Sequence, residues 1–410
     1  MTTPQRPKGT ADVFAPESAR WRRAHRLFDE LAERFGFDLV LTPMFEHTEV
    51  FSRGVGEDTE VVEKQMYTFE DGGGRSLTLR PEATASVVRA AIQAGMQGRI
   101  KGAYWGPMFR YERPQKGRAR QFYQAGVEYL GSASPEADVE VIEFGYRVLQ
   151  EMGVAGVVVH LNSIGDPEDR TLYRDELTSF LLERHDALSA DAQRRIQSNP
   201  MRVLDSKADV EVVADAPVPL DHLGHAALAH FTAVKSGLEA LGIPFEINDK
   251  LVRGLDYYNR TVFEYVGTAY DAAQTALGGG GRYDGLFEIL GGKPTPAVGL
   301  AMGVDRILLA SQVPDDENAL DVFVVVADEA KRGDARSLVS TLRSEGIRTD
   351  MTDEQRSVKA QFREADRRSS AFAVIVGDEW DEGQVAVKSL SSGDQQLTAT
   401  KEIAGWLKAR

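Results

Sequence analysis

Two kinds of hydrophobic periodicity divide this chain. Residues 121–130 and 261–266 alternate their side chains with period two between tight turns, which predicts strands of an antiparallel sheet. From about 168 to 232 the alternation gives way to helical spacing, with Tyr173, Leu177, Phe180, Leu181, Arg184 and Leu188 recurring every three or four residues. This block predicts a helical insertion interrupting an α+β domain. At 312–318 a polar Pro-Asp-Asp-Glu-Asn stretch separates a helical run at 304–310 from an apolar strand at 322–326. Beyond it follow an amphipathic helix at 335–344, a turn at Gly346, a second helix at 358–368 and a buried strand at 372–376. The predicted organisation is an α+β domain over 1–318, then a small α/β domain over 319–410.

Composition narrows the class. The 410 residues are 42% hydrophobic and 27% charged, as in ordinary globular chains. The chain lacks cysteine, so disulfide frameworks, zinc ribbons, iron–sulfur clusters and thiol nucleophiles are all excluded. No apolar run approaches the roughly 18 residues of a membrane span, and the N-terminus has no apolar leader core, so a cytoplasmic protein is expected. The net charge of −15 argues against a chain that coats nucleic acid non-specifically. The charge is uneven: residues 319–410 hold 14 basic and 16 acidic residues, whereas 1–318 hold 34 and 47. A nucleic-acid contact is therefore expected to be local, with the carboxy-terminal domain the better place for it.

Several segments could carry chemistry. In Phe109-Arg-Tyr-Glu-Arg-Pro-Gln-Lys-Gly-Arg-Ala-Arg-Gln-Phe-Tyr-Gln124, two strand-like pieces flank a loop with Arg113, Lys116, Arg118 and Arg120. Alternation puts Arg110 and Glu112 on one face of the first piece, and Phe122, Gln124, Gly126 and Glu128 on one face of the second. A plain core face would carry apolar residues at all four of those positions. An aromatic plate, an amide, a gap and a carboxylate suit a flat polar ligand, with loop cations for phosphates. A solvated basic hairpin is an equal reading of the same residues. Leu79-Arg-Pro-Glu-Ala-Thr84 precedes a helix former at 85–91, where Glu82 could face a ligand and Thr84 could cap the helix.

Arg253-Gly-Leu-Asp-Tyr-Tyr258 joins strand-like runs at 245–248 and 261–266, as a tyrosine-rich hairpin or as a set of phenol donors beside one cation. Gly278-Gly-Gly-Gly-Arg-Tyr-Asp-Gly285 has no Lys-Ser or Lys-Thr after it and no parallel βαβ context, so it is neither a P-loop nor a dinucleotide fingerprint. Close approach of backbone to a ligand beside Tyr283 remains. Arg306 lies in the first turns of a predicted helix, a surface position unless a triphosphate lies near. His222, His225 and His230 lack the carboxylate or cysteine pattern of a metal site. In the last domain Lys359, Arg363 and Arg367 recur every four residues, with Arg356 before them, as a basic stripe that is either a solvated face or an RNA contact.

Together and in this order, these segments resemble histidyl-tRNA synthetases, a family of class II aminoacyl-tRNA synthetases. The likeness begins at Lys8-Gly-Thr-Ala-Asp12 and a segment around Pro43 similar to the class II dimer motif. It continues through the arginine hairpin and Gly303-Val-Asp-Arg306, similar to the second and third class II motifs. The Leu-Val-Arg-Gly-Leu-Asp-Tyr-Tyr and Gly-Gly-Gly-Arg-Tyr-Asp segments resemble that family's histidine-specific signatures.

The resemblance implies a class II catalytic domain on an antiparallel sheet, followed by an anticodon-binding domain. It implies that Glu82, Thr84 and Gln124 take the α-ammonium of L-histidine. Glu128 and Tyr258 would bracket the imidazole, with Tyr257 and Tyr283 lining the pocket. Arg110 and Arg306 would hold ATP phosphates with Glu112 and Arg118 nearby, Phe122 would stack on adenine, and Arg253 would approach the α-phosphate. Mg²⁺ would bridge the β- and γ-phosphates. The implied reaction forms histidyl-adenylate and then charges tRNA(His), in a homodimer, with the insertion steadying the acceptor arm. Ala83 stands where the family often carries glycine, and the added methyl beside Glu82 is expected to narrow the pocket slightly. A regulatory paralogue that binds histidine and helps control ATP phosphoribosyltransferase is the alternative. It typically lacks the anticodon domain and degrades the arginine motifs, both of which are intact here. A non-catalytic synthetase-like module would not be expected to keep Arg110, Arg253 and Arg306 together.

Overall fold

The computed structural model describes residues 3–56, 59, 61–115, 117–198, 200–204, 206, 208–251, 255, 257–267, 276–312 and 320–410. These fall into two compact units. One holds the residues up to 312 except 15–20; the other holds 15–20 with the residues from 320 onward. The polar stretch expected to mark the boundary lies, past Gln312, outside the described residues.

The larger unit is built on an eight-stranded sheet. Its order is Asp38–Leu39, Ile100–Phe109, Gln121–Leu130, Ala297–Gly303, Ala276–Arg282, Asn259–Gly267, Val157–Ser163 and Phe245–Ile247. The interior pairs are antiparallel, and the two edge pairs are parallel. The architecture is α+β, as the periodicity predicts. Both faces of the sheet are covered. On one, Ala125, Val127 and Tyr129 join Phe28, Phe144, Phe231 and Leu238 from flanking helices. On the other, Phe122 and Leu130 join Val88, Tyr104, Tyr257, Tyr258 and Tyr283. The alternation in residues 121–130 therefore separates an apolar core from a polar cavity, not core from water.

The strand order rules out one of the two readings of the tyrosine segment. Residues 245–247 and 259–267 are not hairpin partners, because Val157–Ser163 pairs between them. The segment carrying Tyr257 and Tyr258 is thus a crossover, and its tyrosines turn inward. Gly278 to Gly281 of the glycine run lie inside the central strand Ala276–Arg282. A Cβ on Gly280 would stand 1.9 Å from the Gly299 carbonyl oxygen, so the glycines let neighbouring strands close.

The insertion is helical as expected, with helices Pro167–Glu183 and Ala190–Ser198. Its own core includes Tyr173, Leu177, Leu181 and Leu188 from the predicted stripe. The next helix, His225–Ala240, instead buries Phe231, Val234 and Leu238 in the main core.

The smaller unit has a five-stranded sheet, ordered Thr349–Met351, Leu320–Val326, Ser370–Val376, Gln384–Ser389 and Gln395–Ala399. The first three strands are parallel and the last two antiparallel. The strand Thr349–Met351 and the final hairpin had no counterpart in the predicted pattern. Helices Arg332–Ser344 and Val358–Arg367 sit where the spacing predicts them.

Candidate active site

A cavity of about 200 Å³ opens on the polar face of the larger sheet. Its lining includes Glu82, Thr84, Arg110, Glu112, Arg118, Phe122, Gln124, Tyr257, Tyr258, Tyr283 and Arg306, which come from separate segments of the chain. Arg253 and Lys116 lie outside the described residues.

One end of the cavity is acidic and phenolic. Helix Thr84–Gln93 begins here, and its first orphan N–H groups need acceptors. Glu82 supplies both: its carboxylate accepts from the Thr84 N–H at 2.7 Å and the Ala85 N–H at 2.9 Å. The capping role imagined for Thr84 therefore falls to Glu82. The Thr84 hydroxyl instead donates to Glu128 Oε1 at 2.7 Å, and the Tyr283 hydroxyl donates to Glu128 Oε2. Glu128 is wholly buried behind these two side chains, which themselves face the cavity. Close packing forces it there: a Cβ on Gly299 would lie 1.7 Å from Glu128 Oε2. Burial pushes the Glu128 carboxyl up to about 8, despite the hydrogen bonds from Tyr283 and Thr84. Burial also raises Glu82, opposed by its backbone donors and by Arg110.

Gln124 adds an acceptor that lacks a partner. Its Oε1 is buried, lines this end and makes no hydrogen bond. A buried acceptor left unmade costs about 1–3 kcal/mol, which a ligand N–H would recover. Tyr257 packs 4.6 Å from Tyr258 and edge-on at 5.5 Å to Tyr283, ring centre to ring centre. The Ala83 methyl is buried in the adjoining apolar cluster, and the wall is made without it.

The other end is cationic. Strand Ile100–Phe109 stops one residue before Arg110, so Arg110 and Glu112 leave the sheet yet still line the cavity. Arg110 Nε donates to the Pro81 carbonyl at 2.9 Å, and its guanidinium lies 5.3 Å from the Phe122 ring centre. Arg306 enters from the first turn of helix Val304–Ala310, donating to the Gly117 and Ala276 carbonyls, both at 3.0 Å. Arg118 lies 3.5 Å from Glu112 across an ion pair. Burial lowers both buried guanidiniums from their ordinary value, and Arg118 and Arg110 lower Arg306 further. Three arginines line this end beside the carboxylates Glu112, Glu264 and Asp305, a set that suits a polyanion bound together with a cation.

The segment around Gly9 braces this hairpin. The Arg120 N–H donates to the Gly9 carbonyl at 2.7 Å, and the Arg120 guanidinium stacks 3.9 Å over Tyr111. Gly9 has φ +84°, and a Cβ there would meet Arg120 at 2.7 Å, so glycine is required.

Some residues were not foreseen. Glu264 and Asp305 line the cavity, and Asp305 accepts the Tyr123 N–H at 2.9 Å. A lone carboxylate in the apolar run 261–267 was the available signal for Glu264. Arg282 is wholly buried, ion-paired to Asp138 and Asp284, and donates to the Ser132 and Ser134 carbonyls. A charged residue straight after four glycines was its signal. The three histidines have separate surroundings: His225 is exposed, His222 meets Glu176 at 3.3 Å, and His230 meets Asp138 at 3.3 Å. Among the described residues no cluster of three or more potential metal ligands occurs.

In the smaller unit the basic stripe is partly neutralised. Arg356 precedes the helix, whose cap is Ser357, and both Arg356 and Arg367 reach Glu364. Lys359 and Arg363 are exposed on the same helix.

Comparison with known proteins bears on both units. Residues 9–307 match the family model for histidyl-tRNA synthetase, and residues 321–410 match that for an anticodon binding domain. The histidine–tRNA ligase of Geobacillus kaustophilus is 44% identical, covering 99% of this chain and 98% of its own length. That of Streptococcus pneumoniae is 43% identical, covering 98% and 96%. Among solved structures, apo histidyl-tRNA synthetase of S. aureus matches with a TM-score of 0.81 at 35% identity, covering 99% of this chain and all of that one.

Proposed function

The chain belongs to the histidyl-tRNA synthetase family, and from that premise we propose that it joins L-histidine to tRNA(His) in two ATP-driven steps within the cavity described above. In the first step the histidine carboxylate attacks the α-phosphorus of ATP, forming histidyl-adenylate and releasing pyrophosphate. In the second a ribose hydroxyl at the 3′ end of the tRNA attacks the histidyl carbonyl and releases AMP. The observation that carries this reading is the division of one cavity into an acidic, phenolic end and a three-arginine end.

Each end suits one substrate. Glu82 and the unpartnered Gln124 oxygen are acceptors for the α-ammonium, with the Thr84 hydroxyl beside them. Tyr258 would donate to the imidazole and Glu128, buried behind Thr84 and Tyr283, would act on it through their hydroxyls, with Tyr257 and Tyr283 enclosing the ring. A pocket that pairs both ring nitrogens rejects amino acids that would leave those buried partners unmatched. Phe122 offers its face to adenine. Arg110, Arg118 and Arg306 meet the triphosphate, where fixed cations stabilise the charge that grows during in-line attack. By the family resemblance, Arg253, which lies outside the described residues, would join them at the α-phosphate. Mg²⁺ neutralises the β- and γ-phosphates when bound with ATP. Glu112 and Glu264, carboxylates lining the cavity among the arginines, would hold it, since magnesium commonly uses one or two carboxylates plus phosphates.

The smaller unit would read the anticodon, with Arg356, Lys359, Arg363 and Arg367 meeting RNA, and the insertion would steady the acceptor arm. The protein would work as a homodimer in the cytoplasm. Supporting the dimer, Leu39, Leu41, Met44, Phe45 and Phe69 are apolar and largely exposed, a run that a second copy would cover. Among the described residues no helix is long and apolar enough to cross a membrane.

Histidine-dependent exchange of pyrophosphate into ATP tests the reading, with the other amino acids as controls. Exchange with histidine alone is the expected result. Histidine binding without exchange would move the chain to the regulatory class.

A further inference from the structure

We infer that Arg260 and Arg170 are positioning residues for the tyrosine pocket, so that the seating of the helical insertion on the sheet sets how well the amino acid binds. This rests on the histidine-pocket reading above and deepens it.

The insertion leaves and rejoins the body at one root. Asp169, in the first turn of helix Pro167–Glu183, accepts the Asp166 N–H at 3.0 Å and the Gly224 N–H at 3.0 Å, tying the two ends together. From this root two arginine contacts bind the insertion to the strand that follows the tyrosines. Arg260 holds the Asp166 carboxylate through two bonds, Nε to Oδ1 at 2.7 Å and Nη2 to Oδ2 at 3.0 Å. Arg170 Nη1, one turn into the helix, donates to the backbone carbonyl of Tyr258 at 2.9 Å. The main chain is stitched alongside: the Arg260 N–H donates to the Gly165 carbonyl and the Ile164 N–H to the Arg260 carbonyl, both at 2.8 Å.

The backbone at this point is unusual. Arg260 has φ +49°, a left-handed conformation that a long side chain adopts only under constraint. It lies in an irregularity of the sheet: Val262 pairs with Gly281, but Asn259 already pairs with Arg282. Such bulges re-aim the residues beside them. Here the neighbours are Tyr257 and Tyr258, which line the cavity. Arg260 is also 3.5 Å from His230 Nδ1, and His230 reaches Asp138, the partner of Arg282 beside Tyr283. Lys250, just before the tyrosine segment, donates to the Val213 and Ala214 carbonyls within the insertion. The polar root thus touches the chain on both sides of Tyr257 and Tyr258.

Three single variants of the full chain separate positioning from folding. Asp166→Asn keeps a good helix cap and removes the charge that Arg260 grips. Arg260→Asn removes the guanidinium and tolerates the left-handed backbone. Arg170→Met removes the donor to Tyr258 while keeping the aliphatic stem. In pyrophosphate exchange, the KM for histidine is expected to rise roughly tenfold in each, with the KM for ATP within about twofold, as loss of one charge-assisted bond would give. Arg170→Lys, which keeps a donor, recovers part of the loss. The inference is overturned if the histidine KM stays within about twofold of the parent, or if both KM values rise together, the mark of a structural role only. A parent protein without histidine-dependent exchange would overturn the pocket reading itself, and this inference with it.

Discussion

Two buried carboxylates of the larger unit, Glu128 and Asp138, show no solvent exposure and end in opposite electrostatic states. Burial raises Glu128 to about 8, because its partners are the neutral hydroxyls of Thr84 and Tyr283. Burial acts against Asp138 too, but hydrogen bonding to His230 and the Arg282 guanidinium win, and its carboxyl falls below the ordinary value. The Asp138 cluster holds its own cation, Arg282, and ties strand Ala276–Arg282 to helix Pro135–Glu151. Among the described residues the Glu128 cluster has no cation, and the neighbouring Gln124 acceptor has no donor. A buried carboxylate with a guanidinium of its own serves the fold, whereas one held only by neutral hydroxyls is stabilised by a cationic or N–H-bearing ligand.

The sharpest way to break the contrast is to take that guanidinium away. Arg282→Met is expected to destabilise the protein by about 3–5 kcal/mol in denaturant unfolding, because it strands the Asp138 charge. Adding Asp138→Asn should restore part of that stability; if it restores none, the cost lies in packing. At the cation-rich end of the cavity, Arg110→Ala should lower kcat/KM for exchange by about 10²–10³-fold with little change in melting temperature. Glu128→Gln should raise the histidine KM by roughly 10–100-fold and leave the ATP KM near the parent's, since only one end of the cavity changes.

The same variant reads out the proton. A carboxyl raised in the folded state contributes stability below its unfolded value of 4.5 and loses it as pH rises through about 8. Parent stability should therefore fall relative to Glu128→Gln between pH 6 and pH 8.5, by up to ~1.4 kcal/mol per pH unit, as seen in paired melting curves. Parallel curves would show that Glu128 ionises normally. The smallest effect is expected where charges are solvated. Lys359→Ala with Arg363→Ala should weaken tRNA binding about threefold, more visibly at low salt, and leave exchange untouched.

Much of this was legible along the chain. Phe122 and Gln124 were on one face of a strand because strands alternate, and the glycines marked close approach because no other residue allows it. The stripe through Tyr173, Leu177 and Leu181 announced a helix with a core of its own. The hairpin reading of the tyrosine segment fails, although neighbours in sequence usually pair, because Val157–Ser163 slides between them and nothing local shows it. Residues 356–367 read as a uniform basic stripe because spacing shows position but not which acid each arginine turns to.

What the sequence determined by itself is the inventory and the periodicity: which groups can accept, donate or carry charge, and which face of each element they occupy. Those follow from covalent chemistry and from backbone repeats of 2 and 3.6 residues. Tertiary structure alone decided that Glu82 from a helix start, Glu128 from a strand, Tyr257 and Tyr258 from a crossover and Tyr283 from beyond the glycine run converge. It also decided which buried acid received a cation. Asp138 and Arg282 are 144 residues apart, and the ionisation of each depends on a neighbour that only folding supplies.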